Sequence, residues 1–126
     1  MKKDLILISV SVLSVALMTI HLASDIVLGL ESGGPLNLIV FPVLTVWLYG
    51  TLMLAGKRSG YIITLLGAFL GLLMPIIHMK GNGISARVIE SSTGFLFVWT
   101  LLALGVTSFF AATLSVIELW KLRTKS

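Results

Sequence analysis

Four stretches of the chain are continuously apolar, and none of them alternates. They run from Leu5 to about Leu28, from about Leu36 to Ala55, from Tyr61 to about Met79 and from about Gly94 to Trp120. Each reaches the roughly 20 residues that a helix needs to cross the hydrocarbon core of a bilayer. A transmembrane barrel would show alternation instead. The Gly33-Gly34 pair breaks the chain before the second run, and Pro35 suits a first helical position. Ser91, Ser92 or Thr93 can cap the fourth. The links are short, Glu31 to Gly34 and Gly56 to Gly60, with a longer one from Lys80 to Thr93. Short links make neighbours antiparallel. The pattern predicts a single all-α membrane domain over residues 1–126, with four transmembrane helices in an up-down-up-down bundle. No internal repeat points to an inverted-repeat transporter.

Within the runs, small and polar residues fall on single faces. Ser11, Ser14, Met18, His21 and Asp25 are spaced 3, 4, 3 and 4. Gly60, Thr64, Gly67, Gly71, Met74 and His78 are spaced 4, 3, 4, 3 and 4, and Gly105, Ser108, Ala112 and Ser115 are spaced 3, 4 and 3. Such stripes face other helices rather than lipid. Gly67 and Gly71 form a GxxxG pair, whose ordinary role is close helix packing. The second run is the blandest, with Asn37 near one end and Pro42 as its kink. Pro75 bends the third run one turn before His78.

Composition agrees with a bilayer as the solvent. Of 126 residues, 57% are hydrophobic and 11% charged, with a mean hydropathy of +1.09. A soluble domain carries about 25% charged residues. The net charge is +4, but the basic residues sit at the ends of apolar runs, where they act as topology signals rather than as a nucleic-acid surface. Lys2, Lys3, Lys57, Arg58, Lys121, Arg123 and Lys125 share one side of the predicted bundle, and Lys80 and Arg87 the other. The bias places both termini in the cytoplasm and the chain in a plasma (inner) membrane. Met1 to about Asp25 also resembles a secretory signal, but its apolar stretch is too long, and Ser14-Val15-Ala16 is a poor cleavage site inside it. With no cysteine, disulfides and thiolate sites are excluded.

Ionisable residues inside or near a span are costly and raise a functional hypothesis. His21, Asp25, Glu31, His78 and Glu90 all fall on the outer side of this topology. Helical rise puts Asp25 and His78 at one depth, with His21 a turn lower, level with Met74. Three readings follow: a hydrogen-bonded clasp that fixes helix register, a zinc or copper site, and a proton or ion relay. For the metal, His21, Asp25 and His78 are the ligands, with Met74 and Glu31 as further candidates; methionine thioethers would favour Cu(I). Bis-histidine haem ligation fits poorly with the difference in depth. Ser9, Ser11 and Ser14 have no histidine within a helical turn, and no phosphate loop or carboxylate pair with an evident substrate cleft is present, so an enzyme is disfavoured. The leading expectation is a non-enzymatic membrane protein with no resident cofactor, acting by assembly as a homo-oligomer or accessory subunit. The alternative is a metal-binding or ion-handling protein.

Overall fold

The computed structural model describes residues 2–27, 29, 39–80 and 91–124. Among them are four helices, α1 (Lys2–Val27), α2 (Val40–Leu52), α3 (Arg58–Lys80) and α4 (Ser92–Thr124). The stretches Asp4–Val27, Arg58–His78 and Ser92–Thr124 are long and apolar enough to cross a membrane. The remaining helix, α2, is apolar but has only 13 residues, about 20 Å of rise.

Local chemistry sets the helix ends. α1 holds no glycine or proline over 26 residues. It stops where Gly29 takes a left-handed φ of 66° and returns its N–H to the Ile26 carbonyl at 3.1 Å. α2 ends at Leu52, short of the expected Ala55, because the chain turns through Gly56 at φ 78°. α3 begins at Arg58, inside the segment expected to be a loop. This tight return brings Gly60 against the Leu54 carbonyl, where a Cβ would collide with backbone. Pro42 lies in the first turn of α2, where a missing N–H breaks no helical bond, so it marks a start rather than a kink. The residues before Ile39, including Pro35 and Asn37, lie outside the described ones. Ser91 caps α4: its Oγ accepts from the Gly94 N–H at 3.0 Å.

The anticipated stripes are inward. Ser11, Ser14, Met18, His21 and Asp25 are all buried, as are Gly60, Thr64, Gly67 and Gly71. α4 packs most extensively on α3 and then on α1. Its buried face runs Gly94, Phe97, Leu101, Leu104, Ser108, Ala111 and Ser115, while Gly105 and Ala112 lie half-buried beside it. Gly105 faces Pro75, whose Cγ lies 2.9 Å from where a Cβ would stand. Leu66, Phe69, Phe95, Phe109 and Phe110 point outward. That apolar exterior suits contact with lipid.

The second helix is not bland. Its Trp47 is 2% exposed and lies flat against Gly67, where any Cβ would run into the indole ring. Trp47 Nε1 donates to Ser11 Oγ at 3.0 Å. Ser11 Oγ lies 2.8 Å from Thr51 Oγ1, which lies 3.2 Å from Thr64 Oγ1 and donates to the Trp47 carbonyl at 3.0 Å. Ser11 and Thr64 are therefore the donors to Thr51, and every hydroxyl proton is used. The network ties α1, α2 and α3 together. Trp47→Phe deletes the donor and leaves a smaller ring in a buried site, so stability in mixed micelles is expected to fall by about 1 kcal/mol or more. An unchanged denaturation midpoint would mean that this bond contributes nothing.

Candidate metal centre

At one end of the bundle Tyr61 donates to Asp4 at 2.8 Å. Tyr61, at the start of the third apolar run, is 6% exposed and faces the interior. At the other end lies the cluster. α1 supplies His21 and Asp25 one turn apart, and α3 supplies His78. Their ligand-capable atoms all lie within 4.8 Å of one another. Asp25 Oδ2 is 3.5 Å from His21 Nε2 and 3.4 Å from His78 Nε2. His21 and Asp25 are buried and His78 is 15% exposed.

The expected tiers close up, for a reason rooted in helix geometry. Side chains lean toward the N-terminus of their helix. His78 therefore drops toward Met74, and its Nδ1 lies 2.9 Å from the Met74 carbonyl oxygen. Its ring reaches the level of His21, and the two imidazoles meet edge to face with centroids 4.8 Å apart. No macrocycle fits between rings so close. Phe97 of α4, fully buried, closes the remaining side, its centroid 4.8 Å from His21 and 5.6 Å from His78. Sequence reasoning passed over Phe97 because it followed small and polar residues only. The heptad running through Leu101, Leu104 and Ser108 was the signal that could have found it.

A carbonyl only accepts, so His78 Nδ1 donates to Met74 and carries the proton. Nε2, the nitrogen on the Asp25 side, is the one left to bind an ion through its lone pair. Anchoring one imidazole nitrogen on a carbonyl, with the other left open, is the usual support of a metal-binding histidine. His21 has neither ring nitrogen hydrogen-bonded. Charge-assisted N–H···O bonds measure about 2.7–2.9 Å, shorter than the separations at Asp25. Two ligands on a tetrahedral zinc, each about 2.0–2.1 Å from the ion, stand about 3.3 Å apart. The two Asp25 separations are close to that edge.

Of the further candidates, Met74 contributes its carbonyl to His78. Its side chain, with that of Met18, lines an apolar cavity of about 240 Å³ beside Trp47. Glu31 and Glu90 lie outside the described residues. Comparison of the chain with family models, with curated proteins and with solved structures finds no match.

Proposed function

We propose that this chain is a small, non-enzymatic membrane protein that binds a transition-metal ion, zinc or copper, through His21, Asp25 and His78. The observation that carries the reading is His21. It is fully buried, neither ring nitrogen has a hydrogen-bond partner, and it faces a carboxylate oxygen and a second imidazole. Burying such a ring without a partner costs stability, and a bound ion would remove that cost. Three protein ligands leave a tetrahedral position open, for which Glu31 is the sequence's candidate. We read the bundle as up-down-up-down in a plasma (inner) membrane with both termini cytoplasmic, supported by the distribution of lysine and arginine. The protein then acts as a homo-oligomer or as an accessory subunit, with the metal end facing outward.

Calorimetric titration of the purified protein with zinc and with copper tests the site. One ion is expected per chain at micromolar affinity or tighter, and His21→Ala is expected to lose it. Wild-type protein that takes up neither ion at micromolar concentration ends the metal reading. Orientation is tested separately, because the chain has no native cysteine. A cysteine replacing Ser59 is expected to react with an impermeant maleimide only from the cytoplasm. One replacing Ser85, outside the described residues, is expected to react only from the opposite face. The reverse labelling pattern would invert the topology.

A further inference from the structure

An open groove of about 720 Å³ lies between α3 and α4, at the end of the bundle away from the histidines. Its walls are apolar, with Ile62 from α3 and Val116 and Leu119 from α4. Its rim carries two guanidinium groups, Arg58 at the start of α3 and Arg123 in the last turn of α4, together with Trp120. Both arginines and Trp120 are exposed.

The charges here are unbalanced. Of the five acidic residues, Asp4 and Glu118 lie on this half of the chain's helices. Asp4 receives the Tyr61 hydroxyl, and Glu118 pairs with Lys121. Among the described residues no ion pair reaches Arg58 or Arg123. Two cationic forks thus face one recess with no carboxylate between them. Their planar donors match phosphate oxygens. A free phosphate would use the rim and leave the apolar walls wet, whereas a lipid uses both. A zwitterionic lipid would bring a cationic headgroup toward the arginines. An exposed tryptophan at the rim is what an interface between membrane and water favours.

We propose that this groove binds an anionic phospholipid. Its phosphate lies between Arg58 and Arg123, and an acyl chain lies along Ile62, Val116 and Leu119. Basic pockets between transmembrane helices hold such headgroups by the same division of labour. The inference rests on the membrane reading of the chain and is independent of the metal.

The test is native mass spectrometry of the detergent-purified protein with phosphatidylglycerol or phosphatidylcholine of identical acyl chains, paired with thermal shift. Phosphatidylglycerol is expected to bind about tenfold better, as one to two extra charge contacts imply. Arg58→Gln and Arg123→Gln are each expected to lose most of that preference, and the double variant all of it. Lys57→Gln removes a charge that does not line the groove and is expected to bind as wild type. Equal binding of both lipids, or equal losses in Lys57→Gln and Arg123→Gln, would overturn the site in favour of general attraction. The same thermal shift with inorganic phosphate alone would overturn it in favour of a soluble anion. Alkaline carbonate washing of membranes reports separately on the membrane reading. A chain released by carbonate refutes that reading, whatever the lipid arms show in detergent.

Discussion

Leucine in place of Gly67 is expected to destabilise the bundle by about 3 kcal/mol or more. A Cβ at this position would enter the ring of Trp47, and leucine adds three carbons beyond it. Overpacking typically costs about 1–3 kcal/mol where neighbours can shift. Here the neighbour is a buried indole that donates to Ser11. Moving it also breaks that bond, for about 1 kcal/mol more. Gly71→Leu meets the Ser108 hydroxyl, a smaller obstacle, so its cost is expected to be lower, about 2 kcal/mol. The comparison substitution is Ala23→Leu, on the exposed side of α1. Gly29→Leu would be a poor control. Space around Gly29 is open, but its φ of 66° strains any other residue. The measurement is SDS-driven unfolding in mixed micelles. Equal midpoints for Gly67→Leu and Ala23→Leu would show that Gly67 does not seat the indole.

Asp25→Asn, His21→Ala and His78→Ala are each expected to lower zinc or copper affinity by about 100-fold or more. Removal of even a supporting residue around a bound metal typically costs 10–100-fold, and these three are the proposed ligands. The same variants distinguish a metal site from a clasp when stability is measured in chelator. In a clasp, Asp25→Asn retains polar contacts and costs little, while His78→Ala strands a buried group and costs about 1–3 kcal/mol. In a metal site the wild type should lose stability when chelator is added, and Asp25→Asn should be insensitive to it. Metal binding that survives all three substitutions would move the site elsewhere.

Much of this arrangement was legible in the residue spacing. The stripes on α1 and α3 read directly as buried faces, because a heptad of small and polar residues has few alternatives in an apolar helix. They bring His21, Asp25 and His78 to one end of the chain's fold. What spacing could not supply was side-chain direction. His78 leans a full turn toward Met74, which converts two expected tiers into one cluster. α2 was misjudged for a different reason. Its important atoms are an indole N–H and a threonine hydroxyl, which disappear in any average over a hydrophobic run. Neither Trp47 nor Thr51 advertises its partners, since Ser11 and Thr64 lie on other helices. Phe97 was hidden in the same way, as one aromatic residue among many on α4.

The hydroxyl network through Ser11, Thr51 and Thr64 also constrains how this sequence can drift over generations. Ser11 and Thr64 both give their protons to Thr51, so losing the Thr51 hydroxyl alone strands two donors in the interior, and losing the Ser11 hydroxyl alone strands the Trp47 N–H. The single step is costly, whereas exchanging the whole set for apolar side chains of similar shape is nearly neutral. Positions 11 and 51 are therefore expected to change together or not at all, and position 64 to become apolar wherever 51 does, because its hydroxyl then has no acceptor there. Descendants of this chain should fall into two groups, one polar at both 11 and 51 and one apolar at 11, 51 and 64. Trp47 should persist mainly in the first, where its N–H still has an oxygen to meet.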